Sequence, residues 1–305
     1  MSKNNTVYII TGPTAVGKSK IAYSLAQKIN GEIVNCDSIQ LYNHMDIGSA
    51  KPSEAEMSTV KHHLYSIVNP DYNMTVATYQ KLALTVIDDI LSRDKTPIIC
   101  GGTGLYLNSI LYKMDFAGYQ GNLERRKELE NMAAENSNEY MHHYLTAIDP
   151  ESASRIHPNN LRKIIRAIEA YESGNSIKPL SECPVNTKYD FKLFSISMDR
   201  QDLYERINKR VLILVKNGLE QEVRTLLKLG YTSETPALKA IGYKEMIEYI
   251  EGRSNLREAV SEIMTNTRHY AKRQLTWLKR YDFSVNLETH KNDNVDQISN
   301  EILKY

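Results

Sequence analysis

The segment Gly12-Pro13-Thr14-Ala15-Val16-Gly17-Lys18-Ser19 satisfies every fixed position of the phosphate loop, G-x-x-x-x-G-K-[ST]. It follows an apolar, β-branched run, TVYIIT over 6–11, and opens a segment over 18–29 in which Ile21, Ala22, Leu25, Ala26 and Ile29 recur at helical spacing. Strand, glycine loop and helix in that order are the context the motif requires. Segments 32–35 and 97–100 read as further buried strands, and 75–92 reads as an amphipathic helix between them. Strands alternating with helices predict an α/β fold built on a parallel sheet, with the loop at the carboxyl edge of the strands.

The loop's chemistry is the binding of phosphate or pyrophosphate. Successive backbone N–H groups and the positive end of the following helix face an anion. Lys18 adds a full positive charge, and the Ser19 hydroxyl is a Mg²⁺ ligand in such loops. This places the chain among nucleotide- and ATP-binding classes without implying hydrolysis. A hydrolase usually pairs the loop with a strand ending in a metal-holding Asp. Here strand 97–100 runs instead into Gly101-Gly102-Thr103-Gly104. Thr103 either offers a hydroxyl to a leaving-group oxygen or caps a helix after a turn whose glycines take positive φ. Asp37, which follows strand 32–35, falls on the same edge as a metal ligand, a general base or a helix cap.

From about 121 to 171 the pattern is helical and charged, and 191–198 reads as a strand again. The expected organisation is one core, 1–114 with 189–305, interrupted by a helical insertion over 115–188. Helices are expected over 203–215, 219–229 and 256–281, the last with Ser254 as its N-cap. Thirty-eight Lys and Arg against 37 Asp and Glu leave a net charge of +1, which excludes a polycationic coat but not a local nucleic-acid site. Arg155, Arg162, Lys163 and Arg166 form one basic stretch. Arg268, Lys272, Arg273, Lys279 and Arg280 form another, interleaved with Tyr270 and Trp277; as a solvated helix face it needs no partner. Three cysteines, Cys36, Cys100 and Cys183, have neither disulfide-framework nor zinc spacing. The pairs His62-His63 and His142-His143 read as structural. No run approaches the ~20 apolar residues of a membrane span, so a soluble cytoplasmic protein is expected.

GPTAVGKS, NCDSIQLY, DIGSAKPS, GGTGLY, HPNNLRKIIRAIE, AIGYKE and TRHYAKRQLTW occur in this order between about 6 and 281. Together they resemble the bacterial tRNA dimethylallyltransferases, also called tRNA isopentenylpyrophosphate transferases. DIGSAKPS and TRHYAKRQLTW are the most specific segments. The resemblance implies a phosphate-loop NTPase-like α/β core with an inserted all-helical domain that contacts tRNA. It implies transfer of a dimethylallyl group from dimethylallyl pyrophosphate to the exocyclic amine of the adenosine just 3′ of the anticodon. Mg²⁺ is the implied cofactor, the tRNA anticodon stem-loop the implied partner, and a monomer the implied state.

By the same resemblance, residues 12–19 hold the donor's pyrophosphate. Asp37 contacts the adenine amine and acts as general base, Thr103 sits near the bridging oxygen, and Arg210 is a further pyrophosphate ligand. Ser38, Ile39 and Gln40 help to seat the flipped nucleotide. Arg162, Lys163, Arg166, Lys239, Lys244, Lys272 and Arg273 contact the RNA. Three positions depart from the common pattern: Asn160 stands where Asp is frequent, and Lys163 and Lys239 stand where Arg occurs. Eukaryotic relatives carry a C-terminal zinc finger that these cysteines cannot form, which implies a short, bacterial or organelle-like form. Competing readings are a small-molecule kinase or NTPase, on the phosphate loop alone, and an RNA-binding module with a relic loop. A prenyltransferase acting on free adenosine phosphates is a third; the basic 267–277 segment favours tRNA.

Overall fold

The computed structural model describes residues 5–114, 116, 122–290 and 293–305. The chain divides into two compact units, Met1–Leu111 with Asn186–Tyr305, and Tyr112–Val185.

The first unit runs β1 (Thr6–Thr11), α1 (Lys18–Lys28), β2 (Gly31–Asn35), α2 (Glu54–Thr59), β3 (His62–His63), α3 (Val76–Ser92), β4 (Thr96–Cys100) and α4 (Gly104–Leu111). The second unit holds α5 (Leu123–Glu135), α6 (Asn138–Ile148), α7 (Pro150–Arg155) and α8 (Leu161–Glu172). The first then resumes with β5 (Asp190–Met198), α9 (Arg200–Lys216), α10 (Leu219–Lys228), α11 (Tyr243–Ile250), α12 (Leu256–Leu278), β6 (Val285–Thr289) and α13 (Val295–Ile302).

The six strands form one parallel sheet in the order β3-β2-β4-β1-β5-β6. β1 and β4 are neighbours, but the chain leaves β1 toward β2 on one side and passes from β4 to β5 on the other. That reversal opens a crevice above their carboxyl ends, the usual ligand position in such sheets. Strands that are apolar on both faces are covered on both faces. Ile10, Ile33, Ile98 and Phe194 pack with Ile21 and Leu25 of α1 and Leu203 and Ile207 of α9. A second cluster joins Val211 of α9 to Leu219, Val223, Tyr243, Met246 and Ile263.

Local sequence explains most element ends. Asp199 caps α9 by accepting from the Gln201 and Asp202 amides. Gly218, at φ +101°, turns the chain between α9 and α10 in a conformation that L side chains rarely adopt. The cap of α12 is Asn255 rather than Ser254: Asn255 and Glu258 close a reciprocal capping box, which a serine one residue earlier is out of register to make. The expected helices over 203–281 leave β6 unassigned. Its burial alternates, because it is an edge strand with one neighbour, and VNLET carries too few apolar residues to stand out. His63 faces the buried Glu32 carboxylate (2.7 Å), which Arg93 and Lys95 also hold, and the arginine leads in keeping that carboxyl far below its usual range.

The second unit has its own aliphatic core, with Leu129, Met141, Leu145, Ile164, Ile165 and Ile168 buried. Asn160 caps α8 through its side-chain oxygen. Asn and Asp cap equally well, so the Asn160 departure leaves the helix start intact.

Candidate active site

Three loops meet at the β1–β4 crevice. The first is the phosphate loop. Gly12 has no room for a side chain, since a Cβ would stand 2.5 Å from the Ile196 carbonyl oxygen, and Gly17 turns into α1 at φ +108°. Helix α1 has no side-chain cap, so its first amides remain available to an anion. Lys18 folds back, its ammonium donating to the Pro13 carbonyl (2.7 Å). Although the side chain is partly accessible, crowding by protein lowers its pKa to about 8; Arg210 adds to this and Asp37 opposes it. A bound anion reverses such a shift by favouring the charged form. Ser19 is exposed in the first turn of α1.

The second loop follows β4. Gly101, Gly102 and Gly104 do not take positive φ; they are glycines because neighbours come too close. A Cβ on Gly101 would lie 2.2 Å from the Cys36 carbonyl oxygen, and one on Gly104 would lie 2.4 Å from Trp277 Nε1. The close approach binds this loop to the third, which follows β2. The Thr103 amide donates to Cys36 O (3.1 Å), and Thr103 Oγ1 accepts from the Ser38 amide (3.1 Å). Oγ1 accepts in that bond, and its hydroxyl proton lies on the side of the Tyr270 phenol, which it can exchange for a substrate oxygen.

Asp37 caps no helix. Its Oδ1 accepts from the Ile39 amide (2.9 Å), a local turn, while Asn35 holds the Asp37 backbone through both its N–H and its C=O. Asp37 Oδ2 has no hydrogen bond among the described residues, so one oxygen is free to accept a proton. Gln40 is buried, and its amide donates to Ser49 O and Ala50 O (3.0 and 3.2 Å). The DIGSAKPS segment is thereby fixed from below. Glu222 completes it by accepting from the Asp46, Ile47 and Gly48 amides and from the Tyr243 hydroxyl.

Helix α9 supplies cations. Arg210 has no hydrogen bond or ion pair among the described residues; burial lowers its pKa, and the charge of Asp37 counters that. Arg206, one turn earlier, brings Nη2 within 3.6 Å of where a Cβ on Gly17 would stand. Two arginines on one helix face therefore flank the phosphate loop. Helix α12 closes the crevice with Tyr270, Gln274 and Trp277. The Tyr270 phenol lies beside the Thr103 side chain and near Asp37; burial is the main cause that raises its pKa. Gln274 bonds both glycine loops.

The structure thus gathers residues 12–19, Asp37–Gln40, Thr103 and Arg210 at one edge. The other basic positions are on surfaces. Lys272 and Arg273 are exposed on α12, Arg273 over the Tyr270 ring at 5.6 Å. Lys239 is exposed and paired with Glu234 (3.0 Å), and Lys244 is exposed 3.4 Å from Glu245. Arg162, Lys163 and Arg166 are exposed on α8 of the second unit. Arg206, Gln274 and Glu222 received no role from sequence. Two left a trace: Arg206 one turn before Arg210 in the Arg206-Ile207-x-x-Arg210-Val211 pattern, and Gln274 as a polar residue on the apolar stripe between Ala271 and Leu278.

A parallel sheet whose switch point carries a phosphate loop, with half-buried cations and a free carboxylate facing it, defines a phosphate-loop protein built to act on a phosphate or pyrophosphate ester. The model of the family described as IPP transferase matches residues 40–281, and the chain belongs to that family. It is 48% identical over 294 residues to a tRNA dimethylallyltransferase of Alkaliphilus oremlandii, covering 96% of this chain and 93% of the other. It is 43% identical to the one of Clostridioides difficile, covering 99% and 98%. Among solved structures, the tRNA isopentenylpyrophosphate transferase of Bacillus halodurans superposes with a TM-score of 0.72 at 37% identity, covering 99% of this chain and 96% of that one. A eukaryotic dimethylallyltransferase acting on tRNA superposes with a TM-score of 0.84 at 26% identity, covering 99% and 80%.

Proposed function

We propose that this chain transfers a dimethylallyl group from dimethylallyl pyrophosphate to the exocyclic amine of the tRNA adenosine just 3′ of the anticodon. The bond from nitrogen to the allylic carbon forms, the carbon–oxygen bond to pyrophosphate breaks, and one proton leaves the nitrogen. The observation that carries this reading is the juxtaposition of Asp37 and Thr103 across a phosphate loop flanked by Lys18 and Arg210. The leaving pyrophosphate gains charge as the bond breaks, and loop amides, Lys18 and Arg210 neutralise it. Thr103 donates its hydroxyl proton to the bridging oxygen. Asp37 Oδ2 accepts the proton of the amine. The side chains of α12 that cover the crevice would limit the access of water to the allylic centre.

Mg²⁺ fits this donor set. Among the described residues no three His, Cys, Asp or Glu side chains form a metal cluster. Mg²⁺ does not need one, because it keeps several waters and takes phosphate oxygens with one or two protein ligands. Ser19 Oγ would hold it beside the phosphates, where it supplies further charge neutralisation. Ser38, Ile39 and Gln40 seat the flipped base, and Lys272, Arg273, Lys239, Lys244 and the α8 cations Arg162, Lys163 and Arg166 meet RNA phosphates. Every group invoked lies in one chain, and the reading is of a monomer acting in the cytoplasm. No helix among the described residues is long and apolar enough to cross a membrane.

The test is incubation with unmodified tRNA and dimethylallyl pyrophosphate, followed by mass spectrometry of the nucleosides. Prenylated adenosine at the position 3′ of the anticodon is expected. Product on AMP and none on tRNA would reverse the substrate, and phosphate release from ATP without prenyl product would favour a kinase or NTPase.

A further inference from the structure

Gln274 lies on the inward face of α12 and is 6% exposed. Its two amide atoms engage two different loops. Oε1 accepts from the Thr14 amide of the phosphate loop (2.8 Å). Nε2 donates to the Gly102 carbonyl (2.9 Å), one residue before Thr103. A Cβ on Gly102 would stand 2.2 Å from Nε2, so the missing side chain at 102 is what admits the amide. The nearest backbone bond beside this bridge, from the Gly101 amide to Ile10 O at 3.3 Å, ends on strand β1 and not on the phosphate loop. The Thr14 N–H is turned to Gln274 and fixed there, which sets the direction of the Pro13–Thr14 peptide and leaves the later amides to the anion.

Resting on the prenyl-transfer reading above, we propose that Gln274 is a positioning residue that sets the distance between the pyrophosphate cradle and Thr103. A primary amide suits this task, because it offers an acceptor to Thr14 N–H and a donor to Gly102 C=O from one planar, uncharged group. The same side chain ties both loops to α12, whose opposite face exposes Lys272 and Arg273. One rigid helix thereby carries the contact that aligns leaving group and hydroxyl, together with cations on the side where RNA phosphates would lie.

The test uses the full chain with Gln274→Met, which keeps volume and removes both hydrogen bonds, and Gln274→Glu, which keeps the Thr14 contact and loses the donor to Gly102. For both, kcat for prenyl transfer falls ~10–100-fold, the size expected of a misplacement near 1 Å, while tRNA affinity holds. In a Thr103→Ala background the Gln274→Met effect shrinks to under about threefold, because the group being positioned is gone. Wild-type kcat in either folded variant, or an undiminished effect in the Thr103→Ala background, overturns the proposal. Titration with inorganic pyrophosphate separates this from failure of the functional reading. A wild-type protein that makes no prenylated nucleoside refutes that reading; Gln274→Met binding pyrophosphate as tightly as wild type refutes the bridge. Should Gln274→Met not fold, the kcat comparison is read from Gln274→Glu and the pyrophosphate titration from Gln274→Leu, which adds no charge beside the loop.

Discussion

Helices α8 and α12 both expose cations, and their buried faces differ in kind. Under Arg162, Lys163 and Arg166, α8 buries Ile164, Ile165 and Ile168, and its one buried acid, Glu169, is matched by Arg126 at 2.6 Å within the same unit. Under Lys272 and Arg273, α12 presents Tyr270, Gln274 and Trp277 to the loops at the sheet edge. The first helix has an inward face that any well-packed aliphatic set would satisfy. The second has an inward face made of specific polar contacts to the reacting loops. Similar charge patterns outside therefore conceal different constraints inside: under the proposed function, substitution on α8 is expected to change how RNA is held, and substitution on α12 to change the chemistry as well.

The largest effect expected lies at the edge that α12 covers. Asp37→Asn keeps an acceptor for the Ile39 amide and removes the proton acceptor, so single-turnover transfer to tRNA drops ~10²–10⁴-fold. Pyrophosphate binding, read by calorimetry, persists; full transfer would remove Asp37 as the base.

A pH series sharpens the same side of the comparison. Lys18 titrates at about 8 in the free protein against an ordinary 10.5. Its charge is present below pH 8 and is lost above it, so donor affinity weakens as pH rises through 8, by up to ~10-fold per unit. Folding stability moves the other way: the unfolded chain binds more protons between 8 and 10.5, so this lysine favours the folded state as pH rises through that window. Lys18→Arg flattens the affinity profile; a wild-type profile flat from pH 7 to 9.5 would contradict the assignment.

Two glycines contrast the units by stability. Gly101→Ala drives a Cβ to 2.2 Å from the backbone oxygen of Cys36, which has no flexible end to yield, and costs ~1–3 kcal/mol of unfolding free energy. Gly174→Ala, just after α8 at φ +72°, meets nothing within 4 Å and bears only the left-handed strain, ~1 kcal/mol. Equal losses on denaturant unfolding would mean that the glycine edge is looser than its contacts indicate.

The smallest effects are on α8. Arg162→Ala and Lys163→Ala each weaken tRNA binding a few-fold and reduce the salt dependence by about one phosphate contact. Neither alters kcat at saturating tRNA. A fall in kcat from either would break the division between the two helices.

The phosphate loop was legible because eight consecutive residues encode it, and the flanking strand and helix follow from apolar runs and three-and-four spacing. Asp37 and Thr103 were legible as positions, since each directly follows a strand and parallel strands end at one edge. Only the folded chain shows which lone pairs are taken: Ile39 holds Oδ1 of Asp37 and leaves Oδ2 free, and Ser38 occupies Thr103 Oγ1 as acceptor. Edge strand β6 escaped for lack of an apolar pattern.

The sequence by itself determined the parallel α/β core, the anion site and the order of the motifs, because these are written in local pattern and strand polarity. The tertiary structure decided why the second loop must be glycine, why DIGSAKPS is held by Glu222 and how Gln274 joins two loops. The bonds of Gln274, and those of Glu222 to the DIGSAKPS amides, link residues 172 to 260 positions apart. Periodicity tells which face of a helix turns inward. Which loop that face meets depends on how strands β1 and β4 come to lie side by side.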